Sequence, residues 1–428
     1  MNSSPLRCCG LIAVALLAGA AIIGAGGRVS AQPPAGEPIV GDAFYVPPDP
    51  LPTTQNGDLI RSESVSLLAG LVPATGTRIL YLSTDTGGAP VATSGLVMVP
   101  TALWTGPGPR PLVSYAVGTH GAGDACAASK LLTGGVTVDA TGAPMVEPDL
   151  VDIGSLLARG LSVVVTDYQG IGTPGGHAYL QPVPEAHAVL DAARAAIRLG
   201  VATSDAPVGI WGYSQGGGAA AASAEQSHSY APELNLKGTV AGGTPANPAV
   251  VAQNLDGKAL TGLIGTFVDG VMVSHPELTS QITSMFTPDG IDFLRITGQQ
   301  CDAGIFQWAY RASSDFTVDH RSIIDALRSS PGTRAALDGF VMGKVAPANP
   351  VLIMQNVNDD VVPAAQAGQL ADEWCAQGAN VAYPGAIDSP PLLPQAGLFG
   401  HGAGLAGAGQ AIQWLIDRFA GVPAQSTC

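Results

Sequence analysis

The sequence predicts an α/β architecture, a doubly wound and mostly parallel sheet carrying an inserted helical cap, and three observations lead there. Apolar runs rich in β-branched residues alternate with helix-like segments between Pro111 and Ala241, the pattern of β-α-β units. One such run passes into the pentapeptide Gly212-Tyr213-Ser214-Gln215-Gly216 and then straight into a helix-like stretch. Residues 246–346 then change character before a last strand and helix appear.

Taken in order, residues 1–31 read as an export signal. Arg7 precedes the apolar run Leu11–Ile23, and Val29-Ser30-Ala31 offers small residues for cleavage. A retained anchor is the competing reading of a stretch this free of charge, but its many Ala and Gly make a weak span, so no stable membrane anchor is expected. Residues 32–57, with Pro33, Pro34, Pro38, Pro47, Pro48, Pro50 and Pro52, read as an extended arm. Arg78–Asp85 and Val91–Pro100 flank Gly87-Gly88 as a hairpin. Pro111–Val117 is the next strand, Val151–Arg159 a helix, and Leu161–Asp167 a continuous β-branched run suited to a buried parallel strand. Glu185–Leu199 is an amphipathic, Ala-rich helix. Ala206–Trp211 is the strand entering the pentapeptide, Gly217–Glu225 the small-residue helix leaving it, and Leu236–Ala241 the next strand. Leu260–Val273, Pro276–Phe286 and Ser322–Arg328 look helical, which makes 246–346 a helical cap or lid and a domain in its own right. The core, begun over 32–245, resumes over 347–428 with strand Pro350–Gln355 and helix Ala408–Phe419.

Composition narrows the function. Of 428 residues 46% are hydrophobic and 12% charged, enough apolar material for a large core and too much for disorder. Losing residues 1–31, with Arg7 and Arg28 and no acid, would move the net charge from −15 to −17. Nucleic acid is an unsuitable partner for such a surface, as is an anionic membrane approached by charge alone. The same cleavage leaves Cys126, Cys301, Cys375 and Cys428, an even number that suggests two disulfides in one of three pairings. No pair has the C-x-x-C spacing of a zinc site, and neither metal nor cofactor is expected.

The pentapeptide carries the chemistry. Between strand and helix, G-x-S-x-G becomes a sharp turn that lifts the Ser214 hydroxyl above the carboxyl edge of the sheet. Serine becomes nucleophilic when a histidine takes its proton and a carboxylate orients that histidine, here in the order Ser, acid, His. Of His228, His275, His320 and His401, only His401 follows the last strand, in a glycine-rich loop before the closing helix. Asp359 and Asp360 follow strand Pro350–Gln355, and the residues alone do not choose between them: one should orient His401 and the other could cap the next helix. Two backbone N–H groups must hold an oxyanion. Gln215 supplies one, and the loop Gly118–Gly123 is the source of the other. Three further features carry less. Gly170–Gly175 matches G-x-G-x-x-G, yet no helix opens there to meet a pyrophosphate. His187 and Asp191 lie at i,i+4 and read as a solvated helical pair. Asp167 ends a buried strand and reads as a tie for its loop.

At these residues the chain resembles the secretory lipase family, a group of α/β-hydrolases that includes yeast lipase A and exported actinobacterial lipases. The resemblance rests on Ser214 in Gly-Tyr-Ser-Gln-Gly-Gly, Asp359 in Asp-Asp-Val-Val-Pro and His401 in its late loop. Asp42–Pro48, Ser114–Cys126 and Thr166–Gly175 add to it, so it spans essentially the whole mature chain. It implies that Asp359 is the acid and that the helical insertion caps an acyl tunnel. It also implies that the second oxyanion N–H belongs to His120, where the yeast enzymes carry an acidic residue. A bond Cys126–Cys301 from oxyanion loop to cap is implied as well, which leaves Cys375–Cys428 for the second. The expected protein is a secreted serine ester hydrolase, a lipase acting on triacylglycerols and other acyl esters. Its expected partner is an ester substrate with an acyl chain, met at a lipid–water interface where that substrate is a lipid. A soluble-substrate carboxylesterase or polyester hydrolase would use the same machinery, and a catalytically silent exported binding protein would keep the fold alone.

Overall fold

A computed structural model describes residues 43–385, 387–390 and 399–428. The expected signal 1–31, the prolines Pro33, Pro34 and Pro38, Asp42 and Leu398 lie outside the described residues.

The strands are β1 (Leu59–Val65), β2 (Ala74–Thr84), β3 (Pro90–Pro100), β4 (Leu112–Ala116), β5 (Val136–Val138), β6 (Pro144–Val146), β7 (Ser162–Thr166), β8 (Val208–Tyr213), β9 (Leu236–Gly242), β10 (Val351–Met354) and β11 (Val381–Ala382). Nine of them form one sheet in the order β1-β2-β3-β7-β4-β8-β9-β10-β11, while β5 and β6 pair separately. The meander β1-β2-β3 and the β3–β7 pairing are antiparallel, and every pairing from β7 to β11 is parallel. The fold is thus a mostly parallel α/β sheet with a hairpin edge. β4, β7 and β8 are buried along their whole lengths, which is why they read as unbroken apolar runs.

Both faces of the sheet are covered. A Cβ on Gly209 of β8 would meet Leu415 and Phe419 of the closing helix Ala408–Phe419. One on Gly212 would meet the Gly216 carbonyl at the start of helix Gln215–Tyr230. Three residues apart on a strand, these positions face opposite sides. The apolar core accordingly contains Ala219–Ala222 from one helix and Ile412, Leu415 and Phe419 from the other.

Between β9 and β10 the chain is helical over Pro248–Leu255, Gly262–Ser274, Pro288–Thr297, Ile323–Arg328 and Pro331–Gly339. These helices share a second apolar cluster around Phe267, Phe293, Ile305, Phe316 and Leu327, which also takes in Tyr179, Leu180, Val361 and Val362 from loops of the sheet. Pro276–Phe286 is not one helix, but a turn at Pro276–Leu278 followed by Thr279–Thr283.

Two further features differ from the sequence reading. β1 is an additional strand whose Arg61 and Glu63 suit an exposed edge. His187 and Asp191 are not a solvated pair. Their helix, Pro182–Arg198, packs against β2 and helix Gln215–Tyr230, so Asp191 is fully buried and accepts from Ser83, Arg194 and Tyr230. His187 stacks on Tyr230 at 3.7 Å. Asp167 ties its loop as read, accepting from Ser94 Oγ and from Ser129 through both backbone N–H and hydroxyl.

Candidate active site

β4, β8, β9 and β10 run parallel, so their carboxyl ends share one edge. Ser214 follows the end of β8 with φ 62° and ψ −125°, a conformation a non-glycine residue keeps only where its surroundings enforce it. Two backbone contacts enforce it here. Ser214 N–H donates to Gly242 O at 2.9 Å, and Ser214 O receives Gly218 N–H at 3.0 Å. Gly216 allows the turn to come close, because a Cβ there would lie 2.0 Å from Ala116 O. Gln215 opens the helix, and its N–H belongs to the first turn, where no carbonyl four residues back can receive it.

His401 reaches the same edge from helix Phe399–Ala403 and is buried, with 7% exposure. The Tyr213 hydroxyl donates to its carbonyl at 2.6 Å, and the two rings lie 5.0 Å apart. The residue beside Ser214 therefore holds His401. Asn356 Nδ2 fixes the approach by donating to Gly400 O at 2.7 Å. Asp359 Oδ2 lies 2.7 Å from His401 Nδ1, while Oδ1 accepts the N–H groups of Val361 and Val362 at 2.9 and 2.8 Å. Burial works to raise the Asp359 pKa, but the charge and hydrogen bond of His401, with the Val362 and Val361 N–H groups, outweigh it and hold the carboxyl below its ordinary value. His401 Nε2 is buried and has no hydrogen-bond partner among the described residues.

Asp360 does not take the helix-capping role the sequence left open for the spare aspartate. Helix Ala365–Ala376 has Ala364 at its cap position. Asp360 Oδ1 instead accepts the His401 backbone N–H at 3.1 Å, because the loop after β10 packs against the short helix carrying the histidine.

The loop after β4 meets the elbow from the other side. Thr119, Tyr179, Ser214 and Gln215 line a narrow cleft, closed by the apolar side chains of Val251, Leu255, Leu263, Phe267, Val361 and Val362. The His120 side chain is buried, with Nδ1 2.9 Å from Gly118 O and Nε2 3.0 and 3.1 Å from the two oxygens of Glu147. Gly118 N–H donates to Asp149 at 2.8 Å. Burial opposes charge on His120, but the Glu147 charge and hydrogen bond, the Asp149 charge and the Gly118 carbonyl push its pKa up to about 10. Burial, then the Glu147 charge, push Asp149 up to about 7. Donor atoms of His120, Glu147 and Asp149 lie within 4.8 Å of one another, and their hydrogen bonds to one another and to Gly118 occupy the atoms a metal ion would need.

The same loop is joined to the helical insertion. Gly121 bridges Cys301, Ala122 N–H donates to Gln300 O at 2.9 Å, and Asp302 N–H donates to His120 O at 3.2 Å. Cys126 is disulfide-bonded to Cys301, and Cys375 to Cys428. Behind Gln215, its Nε2 lies 2.7 Å from Glu185 Oε1 and 2.9 Å from His177 Nε2. Burial pushes Glu185 up to about 8 and His177 down to about 4. Sequence reasoning missed Tyr213, Asn356, Glu147, Asp149, Glu185 and His177. Tyr213 stood inside the pentapeptide, but what it touches is 188 residues away.

A mostly parallel sheet with a serine elbow, an Asp–His pair and a backbone-rich loop at one carboxyl edge defines an α/β-hydrolase. Comparison with known proteins agrees. A family profile described as secretory lipase matches residues 138–427. A protein named "Probable inactive lipase", from Mycobacterium tuberculosis, is 32% identical over 392 residues, covering 89% of this chain and 82% of its own. "Lipase A" of Arthroderma benhamiae is 27% identical, with coverage of 90% and 82%. The closed-state structure of Candida antarctica lipase A has the same fold, with a TM-score of 0.77, 23% identity and coverage of 91% and 88%. A rice cell wall degrading esterase from Xanthomonas oryzae follows at a TM-score of 0.68 and 19% identity, with coverage of 85% and 98%. This chain belongs to the secretory lipase family. It is a carboxylic ester hydrolase of the lipase class and a secreted one, and among the described residues no helix is long and apolar enough to cross a membrane.

Proposed function

We propose that the chain hydrolyses triacylglycerols and other acyl esters through an acyl-enzyme on Ser214, with His401 as base and Asp359 as its orienting acid. The observation that carries this reading is the state of the His401 ring. Asp359 accepts at Nδ1, which leaves Nε2 buried and unpaired beside the strained elbow. An imidazole so held carries its proton on Nδ1 and offers an Nε2 lone pair to a serine hydroxyl. Ser214 Oγ attacks the ester carbonyl while its proton passes to Nε2. The N–H groups of Gln215 and His120 hold the oxyanion, and the protonated His401 then delivers that proton to the departing alcohol. Water repeats the sequence on the acyl-enzyme and releases the fatty acid. The apolar cleft wall from Val251 to Phe267 suits an acyl chain, and 246–346 acts as the cap over it.

A catalytically silent reading has one observation in its favour, the name of the 32% identical relative. One experiment separates the two. An organophosphonate should label Ser214 stoichiometrically, and Ser214→Ala should abolish labelling and lower ester hydrolysis by several powers of ten with the fold retained. Absence of labelling in the wild type, or more than about a tenth of wild-type kcat in the variant, refutes the mechanism. Chain-length profiles on p-nitrophenyl esters, with and without an emulsion, distinguish a lipase from a soluble-substrate esterase.

A further inference from the structure

We propose that His120 is a buried imidazolium whose pairing with Glu147 fixes the Gly118–His120 turn, making His120, Glu147 and Asp149 positioning residues for the oxyanion N–H. Their positioning role rests on the functional reading above, in which this loop supplies that N–H. Hydrogen-bond polarity leads to the charge state. Nδ1 faces the Gly118 carbonyl, which can only accept, so Nδ1 carries a proton. Nε2 lies within hydrogen-bond distance of both Glu147 oxygens. A neutral ring would turn a lone pair toward them, which requires a protonated Glu147. Yet Glu147 Oε1 also accepts the Asp149 N–H at 3.1 Å, an arrangement that favours the carboxylate. Both ring nitrogens therefore donate.

The consequence is mechanical. Gly118 is gripped at both ends, its N–H by Asp149 and its carbonyl by His120. The peptide planes on either side of Gly118 have little freedom left, and the second leads into Thr119, which lines the cleft beside Ser214. From the insertion, Asp302 N–H grips the His120 carbonyl. The groups facing this cation are Glu147 and Asp149, with Asp152 and Tyr115 of β4 beyond those carboxylates, Asp302 from the insertion, and His177, whose pKa the His120 charge helps to lower. Removing the countercharge leaves a buried ion unpaired, so the ring must deprotonate or move. Movement of the ring releases the Gly118 carbonyl, whereas loss of the Nε2 proton keeps the Nδ1–H bond but removes the ionic tie to Glu147 that holds the ring in place.

Histidine-labelled NMR of the mature protein, with the His120 ring assigned through His120→Asn, tests the charge state. Both ring nitrogens should remain protonated at pH 8 in the wild type and titrate at lower pH in Glu147→Gln. The same Glu147→Gln should lower kcat on p-nitrophenyl butyrate by about 30-fold, below the 10²–10³ of losing an oxyanion donor outright, with KM within about threefold. Glu147→Asp should recover part of the rate. A neutral His120 at pH 7 in the wild type overturns the charge assignment, and a folded Glu147→Gln with unchanged kcat overturns the positioning role. If Glu147→Gln does not fold, Asp149→Asn takes its place: it should also lower kcat selectively, and unchanged kcat in that variant likewise overturns the positioning role. Failure of the wild type to hydrolyse the ester would sink the functional reading instead, and the NMR result would still decide the charge.

Discussion

Replacing Asp359 by Asn separates orientation from packing, because the two carboxylate oxygens have different duties. Oδ1 accepts two backbone N–H groups, and the amide oxygen of Asn can keep both. Oδ2 receives His401 Nδ1–H and Gln355 Nε2–H, and there Asn presents an NH₂ group. The ring must answer with a lone pair on Nδ1, which moves its proton to Nε2 and removes the base. The fold should survive while kcat falls by about 10⁴, equivalent to about 5.5 kcal/mol of transition-state stabilisation. Asp360→Asn is the control. Its oxygen serves the His401 backbone N–H, which an amide oxygen also accepts, so the loss should stay below about tenfold. Steady-state kinetics on a soluble ester, beside circular dichroism of both variants, provide the reading. Retention of more than about a tenth of wild-type kcat in Asp359→Asn, or a larger loss in Asp360→Asn, would contradict this division of duties. The pair also has an acid-side signature. The Asp359 pKa is depressed in the fold, so its stabilisation is present above the unfolded value of 3.8 and fades as pH falls through the lower folded value. Asp359→Asn should therefore lose less stability on acidification than the wild type does.

Two further outcomes follow from the same geometry. Cys126→Ser with Cys301→Ser removes a link across 175 residues and should lower stability by roughly 5 kcal/mol in the chain-entropy account, read as a shift of the urea midpoint; a loss below about 1 kcal/mol would contradict it. Glu185 is pushed up to about 8 from 4.5, so the folded state binds the extra proton and stability falls as pH rises across that window. Glu185→Gln should equal the wild type near pH 4.5 and exceed it at pH 9 by up to roughly 4 kcal/mol, and parallel melting curves across pH would exclude this.

The legible part of this protein is the part whose causes are local. β7 and β8 are buried on both faces, so their apolar runs announced them. The elbow was readable because strand, turn and small-residue helix are contiguous, and the closing helix Ala408–Phe419 appears with the bounds read from the sequence. What escaped is what distant segments do to one another. β1 is held by its ladder to β2, and its apolar residues Leu59, Ile60 and Val65 are only partly buried. His187 and Asp191 have helical spacing and polar character, and only the sheet edge and helix packed over them decide that Asp191 is buried.

The aspartate pair shows where that boundary falls inside the site itself. Asp359 and Asp360 have the same chemistry and differ by one position, so composition and spacing leave their roles open. Their separation comes from the turn after β10. Val361 and Val362 bury themselves in the apolar cluster beneath the helical insertion, and in turning inward they aim their N–H groups at Asp359 Oδ1. That grip turns Oδ2 toward the His401 ring and the Gln355 amide, and puts Asp360 alongside the His401 backbone. The same two valines line the cleft beside Ser214. The insertion's apolar packing thus bears on which carboxylate meets the histidine, and the residues that would contact an acyl chain also hold the acid in place.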